Sequence, residues 1–152
     1  MIEMSIFLTK IEFTFSIHST EDFDKNMEAT ANLIPENLIE NTEVSIEELE
    51  GGYDNPIEYV TITFSKNKDM ELILRHLSSI LTTDQKNQLD GEFDERFNFD
   101  NKTFFFRIDK EKIFNNIVEI GSSDNIVKIA IKMRAYIKDV DFKAFLKSKH
   151  VL

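Results

Sequence analysis

The chain has 152 residues, 41% apolar and 30% charged, with 28 acidic against 18 basic side chains and a net charge of −10. That is one domain's worth of globular protein, able to bury roughly two thirds of its unfolded surface without a metal or disulfide. The absence of cysteine excludes a disulfide framework, a thiol nucleophile and thiolate metal sites; no apolar run reaches the roughly 20 residues that span a bilayer, and Met1-Ile2-Glu3-Met4 does not begin a signal peptide, so a cytoplasmic protein with no membrane role is expected.

Ile11, Phe13, Phe15 and Ile17 alternate with Lys10, Glu12, Thr14 and Ser16, the two-residue period of a strand with one buried face. The strand ends at His18-Ser19-Thr20-Glu21-Asp22, where Ser19 and Asp22 have capping-box spacing. A helix is expected from about Glu21 to Leu33, with Phe23, Met27 and Ala31 recurring every four residues and Pro35 stopping it. A weaker strand, about Thr42 to Leu49, carries Val44 and Ile46. It leads into Glu50-Gly51-Gly52-Tyr53-Asp54-Asn55-Pro56, which holds two of the four glycines and one of the two prolines. Ile57 to Ser65 alternates again, with Val60, Ile62 and Phe64 against Tyr59, Thr61 and Thr63. The period then changes to helical over Asn67 to Leu81, with Met70, Ile73, Leu74, Leu77 and Leu81 on one stripe. Thr82-x-x-Gln85 repeats the capping pattern and starts a short helix.

Phe93 to Phe99 and Thr103 to Ile108 flank the polar turn Asp100-Asn101-Lys102 and are expected to pair as a hairpin. Asp109 caps a predicted helix of about nine residues carrying Ile113, Phe114 and Ile117, broken by Gly121-Ser122-Ser123-Asp124-Asn125. The last strand, Ile126 to about Lys138, is the most regular segment. Val127, Ile129, Ile131, Met133, Ala135 and Ile137 form one face; Lys128, Ala130, Lys132, Arg134, Tyr136 and Lys138 form the other. A closing helix carries Phe142, Phe145 and Leu146. Strand pairs without crossover helices, and helices with one apolar stripe each, define a single α+β domain over residues 1–152. Its sheet is mostly antiparallel, of about six strands, with helices packed on one face.

Catalytic constellations are scarce. His18, His76 and His150 form no H-x-x-x-H pair, and neither G-x-S-x-G nor a phosphate-binding glycine loop occurs. Acid pairs such as Glu47 and Glu48, or Asp22 and Asp24, read as solvated surface in a chain this acidic. No enzyme, metal or cofactor is expected. The Gly51–Pro56 loop and the His18–Asp22 turn concentrate residues that function places on loops, and equally residues that turns require.

Charge is the better signal, because it is uneven. From Ile126 to Leu152 seven basic residues face two acidic ones, whereas between Thr20 and Glu58 twelve carboxylates face Lys25 alone. If helices cover only one side of the sheet, Lys128, Lys132, Arg134 and Lys138 occupy the open side with Tyr136. Tyr59 and Phe105 have off-core parity on their own strands. Cations and flat rings on an open antiparallel sheet suit single-stranded RNA. The same lysines also serve to keep a half-exposed strand soluble and unpaired.

Several segments resemble a known family in order and spacing: His18-Ser19-Thr20-Glu21-Asp22, Leu33-Ile34-Pro35-Glu36 and Leu49-Glu50-Gly51-Gly52-Tyr53-Asp54-Asn55-Pro56-Ile57. Phe105-Phe106-Arg107-Ile108-Asp109-Lys110 and Asp124-Asn125-Ile126-Val127-Lys128-Ile129-Ala130-Ile131-Lys132 with Ala135-Tyr136 continue the match. Together they resemble an archaeal family of predicted RNA-binding proteins or predicted exosome subunits. The resemblance implies the α+β fold of the large-subunit ribosomal protein that binds 5S rRNA, and it carries over no catalytic residues. Ser19 stands where that family usually has alanine, and Tyr53-Asp54 where its loop often has histidine and glycine.

The leading expectation is therefore a non-enzymatic RNA-associated protein, an accessory module of archaeal RNA processing. Lys128, Lys132, Arg134, Lys138 and Arg107 would contact phosphates, and Tyr136 and Tyr59 would stack bases. The alternative is a structural or interaction protein that uses the sheet face or the acidic surface for homodimerisation, or for docking on protein partners in an RNA-processing complex.

Overall fold

The structure, a computed structural model, describes residues 5–50, 56–121 and 123–152. Gly51–Asn55 of the glycine-rich loop and the first four residues lie outside the described residues. The chain runs through β1 (Ile6–His18), α1 (Phe23–Ala31), a 3₁₀ turn (Glu36–Asn41), β2 (Glu43–Glu50) and β3 (Pro56–Phe64). Then come α2 (Asn67–Ile80), α3 (Thr83–Gly91), α4 (Phe93–Arg96), β4 (Phe97–Asn98), β5 (Thr103–Asp109), α5 (Lys110–Ile113), β6 (Ile126–Ala135) and α6 (Phe142–Ser148). The six strands form one sheet in the order β2-β3-β1-β6-β5-β4, and every pairing is antiparallel. This is the expected single-domain α+β architecture.

Alternation decides which sheet face is covered. Phe13, Phe15, Val60, Ile62, Phe104, Phe106, Val127, Ile129 and Ile131 all point to the helix side and are buried. They pack with Met70, Ile73, Leu74 and Leu77 of α2, Leu89 of α3 and Phe145 and Leu146 of α6 in one cluster. Burying such side chains is worth roughly 1.5–3 kcal/mol each, which makes this layer the source of the fold's stability. On the opposite face the same strands carry Lys10, Thr14, Ser16, Tyr59, Phe105, Arg107, Lys128 and Lys132, all half-buried or exposed. At the β2 edge even the core-side residues are uncovered: Val44 and Ile46 stay exposed although they pair with buried Ile62 and Val60.

Strand β1 begins earlier than the clean alternation suggests, because Thr9 is an extra residue. The pairing with β6 shifts between Leu8↔Met133 and Lys10↔Lys132, and the Thr9 hydroxyl donates to the Lys132 carbonyl at 3.1 Å. A bulge reverses parity. Ile6 and Leu8 are therefore buried before it and Ile11 after it, and Phe7 and Lys10 both reach the open face.

Other boundaries move for identifiable reasons. The cap of α1 is Asp22, which accepts from the Lys25 N–H at 3.1 Å, not a Ser19 box. Its buried residues are Asn26, Ala29 and Thr30, with Phe23 and Met27 only partly covered. The side-chain amide of buried Asn26 donates to the Asp22 carbonyl at 2.9 Å, while its Oδ1 has no hydrogen-bond partner among the described residues. The hairpin forms with a much shorter first strand: Phe93–Arg96 is one helical turn, and only Phe97 and Asn98 pair with β5. The nine-residue helix after Asp109 stops at Ile113, and Phe114 and Ile117 are exposed. Asn116 takes a left-handed φ of 59°, turning the chain back so that Ile120 bridges Ile108. Strand β6 stops at Ala135, so Ile137 is exposed and Lys138 lies beyond the sheet. The capping box of α3 forms as read, with Thr82 and Gln85 exchanging bonds of 2.9 and 3.1 Å.

Candidate nucleic-acid interface

The open face can be read row by row across the strands. One row places Thr103, Lys132 and Lys10 side by side on β5, β6 and β1; the next places Phe105, Ala130 and Glu12; the third places Arg107, Lys128 and Thr14. Small Ala130 lies between the flanking cations, directly opposite Phe105. The Lys128 ammonium sits 4.8 Å and the Arg107 guanidinium carbon 5.4 Å from the centre of the Phe105 ring. Each such contact is worth about 0.5–1 kcal/mol at an exposed site and holds its cation over the sheet. Phe105 therefore orients the two charges and is itself covered by them.

Beside this pair lies a shallow groove of about 300 Å³, lined by Thr14, Ser16, Tyr59, Arg107, Asp124 and Lys128 among others. Tyr59 reaches it from β3, where it pairs with Ser16. Three of the residues singled out from sequence, Tyr59, Arg107 and Lys128, thus meet although they stand on three strands. A flat ring, two cations and small hydroxyls can together stack a base and hold a phosphate. Asp124 is the carboxylate on this rim.

The groove is held at one end by an ion pair beneath the sheet. The Lys110 side chain is 2% exposed; its ammonium donates to the Ser16 carbonyl at 2.6 Å and meets Glu21 at 3.2 Å. Glu21 also accepts from the His18 N–H at 3.0 Å. Burial pushes the Glu21 carboxyl up, but the His18 N–H, the Lys110 ammonium and the Asn26 amide outweigh it and hold it below the usual glutamate range. The His18–Asp22 turn is accounted for by this lock. Gly121 packs tightly beside Asp109, next to the same lock: it donates to the Arg107 carbonyl at 2.9 Å, and a Cβ there would meet Ile126 at 3.0 Å.

The remaining residues separate. Lys132 is exposed between Thr103 and Lys10. Arg134 and Lys138 line a different cavity at the far end of β6. Tyr136, 81% exposed, lies past the strand and packs on Phe7 at 4.9 Å, which extends the open face by one ring. Lys10, opposite Lys132, adds a further cation to this face. Its own partner is Glu12, at 3.8 Å.

The basic side chains divide into two groups. Around α6, Lys143 and Lys147 pair with Asp90, and Lys149 pairs with Glu71. Among the described residues, Arg107, Lys128, Lys132, Arg134 and Lys138 have no carboxylate within 4.0 Å. Likewise, no group of three or more His, Cys, Asp or Glu is placed to hold a metal among the described residues. The His76 ring nitrogen is engaged with the Asn32 carbonyl at 3.0 Å. No helix among the described residues is long and apolar enough to cross a membrane.

Fold and surface define an antiparallel α+β sheet protein with helices on one face and a bare face whose β5–β6 half is basic. A family model described as RNA binding matches residues 10–133, most of the chain, and the chain belongs to that family. It is 28% identical over 121 residues to an RNA-binding protein of Pyrococcus abyssi, covering 79% of this chain and 78% of the relative. It is 26% identical over 130 residues to an uncharacterized protein of Methanocaldococcus jannaschii, covering 85% and 87%. Among solved structures, a DUF54 protein from Archaeoglobus fulgidus superposes with a TM-score of 0.74 at 23% identity, covering 95% of this chain and 99% of that one, which shows the shared fold.

Proposed function

We propose that this protein binds RNA on the bare face of β5 and β6 without catalysing a reaction. Lys128, Lys132, Arg134, Lys138 and Arg107 take phosphates, and Tyr59 and Tyr136 stack bases. The observation that carries the reading is the convergence of Tyr59, Arg107 and Lys128 on one groove, with no carboxylate among the described residues paired to either cation. Family membership and the name of the Pyrococcus relative support it. The finer role, an accessory module of archaeal RNA processing linked to the exosome, rests on the sequence resemblance.

The test is a polarisation titration of labelled RNA at about 0.1 M salt. Saturable binding that weakens on combining Arg107→Ala with Lys128→Ala is the expected result; no binding by the wild-type protein removes the reading. A second reading, protein docking or homodimerisation, is favoured by exposed Val44 and Ile46 along the β2 edge. Light scattering separates them: a tight dimer that buries Arg134 contradicts the RNA reading, and an RNA-binding monomer contradicts the dimer.

A further inference from the structure

The cations do not end with the sheet. Where β6 runs out, a second cavity of about 600 Å³ opens between the Phe99–Lys102 turn, the segment after β6 and the start of α6. Lys102, Arg134 and Lys138 stand around it, against Asp139 alone, while Phe99, Val140 and Phe142 supply apolar wall. It therefore combines an excess of positive charge with an aromatic surface; the sheet-face reading uses Arg134 and Lys138 for phosphates but gives Phe99 and the cavity itself no role.

Phe99 is the distinctive element. It is 58% exposed, yet it is no loose side chain. It stands edge-on to Phe97 at 4.9 Å; Phe97 stacks on Phe93 at 5.0 Å, and Phe93 on Phe104 at 5.5 Å. An exposed ring anchored on a buried aromatic column loses little freedom when a ligand lands on it. The Lys102 ammonium donates to the Phe99 carbonyl, and the Met133 N–H donates to the Lys102 carbonyl at 2.9 Å. The turn thus fixes one ring and one cation beside the end of β6, where Arg134 projects.

A flat aromatic ligand carrying negative charge satisfies both halves of this cavity. A free phosphate would leave Phe99 unused, and an apolar peptide would leave the cations uncompensated. A base inside a duplex is already stacked on both sides and has no face to offer. We propose that the cavity takes one unpaired nucleotide of an RNA strand lying along β6, its base on Phe99 and its phosphate between Arg134 and Lys138. The proposal rests on the RNA reading of the sheet face and adds to it a base pocket that only an unpaired nucleotide can fill. Lys128 and Arg134 are six residues apart on an extended strand, roughly 20 Å, so one strand of several nucleotides can reach both sites.

The test is polarisation titration with two labelled RNAs of equal length, an unstructured single strand and a perfect duplex. It compares wild type, Phe99→Ala, Phe99→Tyr and the sheet variant combining Arg107→Ala with Lys128→Ala. Phe99→Ala should weaken single-strand binding roughly tenfold and leave duplex binding unchanged, and Phe99→Tyr should keep wild-type affinity. The sheet variant should lose affinity for both RNAs. If Phe99→Ala binds the single strand as wild type does, or loses equally on both RNAs, the base pocket is refuted; loss in the sheet variant alone leaves the sheet-face reading standing. Wild type failing to bind either RNA overturns both.

Discussion

Replacing Lys132 and Arg134 together by alanine gives a quantitative test of the basic face. Both side chains are exposed, so the fold should survive their loss. Each phosphate neutralised on a single strand releases counterions and contributes about 0.7 to the slope of log affinity against log salt. With Arg107, Lys128, Lys132, Arg134 and Lys138 all engaged, the wild-type slope should be about −3.5, so raising salt fourfold weakens binding about a hundredfold. Three cations remain in the double variant. Its slope should be about −2, and the same salt step should cost only about twentyfold. Because phosphates carry no sequence information, the loss should be alike for unrelated RNA sequences. Polarisation titrations from about 50 to 200 mM salt read all three quantities. A wild-type slope near zero, a slope unchanged in the double variant, or a loss confined to one RNA sequence would refute the reasoning.

The Lys110–Glu21 pair is buried asymmetrically, and its two halves should respond unequally. Glu21→Gln strands an ammonium that is 2% exposed and should cost about 3–5 kcal/mol. Lys110→Met leaves a carboxylate that is 26% exposed and still holds the His18 N–H, and should cost about 1–3 kcal/mol. Urea denaturation measures both, and equal losses would contradict the burial argument. The same pair gives a pH dependence. The Glu21 carboxyl is held below its unfolded value, so its contribution is complete above the ordinary glutamate range and is lost as pH falls through the folded value. Unfolding midpoints followed from about pH 6 to about pH 3 should fall more gently in Glu21→Gln than in wild type. Gly121→Ala should destabilise by about 1–3 kcal/mol, since the new methyl would press on Ile126 and on the Asp109 backbone; a neutral effect by thermal melting would show that the loop gives way freely.

What could be read from the sequence was whatever a two-residue period determines. Burial of Phe13, Ile62 and Ile129, and the open-face placement of Lys128 and Lys132, follow from alternation alone. What could not be read came from events that break the period. The Thr9 bulge shifts the parity of β1, burying Ile6 and Leu8 and bringing Phe7 to the open face. The left-handed Asn116 cuts a helix short, although Phe114 and Ile117 continue the helical spacing. The chain leaves the sheet after Ala135 while its alternation runs on to Lys138. Pattern specifies which face a residue would occupy, but not whether a neighbouring strand is present to continue the ladder. The site suffered the same limit. Arg107 and Lys128 were recognisable as off-core cations, but their approach to Tyr59 depends on strand order, with β1 inserted between β3 and β6.

That strand order also explains how the proposed RNA face is compatible with a net charge of −10. The carboxylates of β2, Glu43 and Glu47, share the open face with the cations of β6, yet β3 and β1 intervene. Three strand spacings of about 4.8 Å set them roughly 14 Å apart, against a screening length of about 8 Å at physiological salt. A phosphate arriving over Lys128 therefore meets the local field of Arg107, Lys132 and Lys10, with Glu12, Asp109 and Asp124 among the opposing charges nearby. The acidic edge is screened at that distance and serves to repel strands laid across the sheet. Electrostatics then favours one course for a polyanion, along β6 and away from β2, which leads from the Tyr59 groove to the cavity beside Phe99.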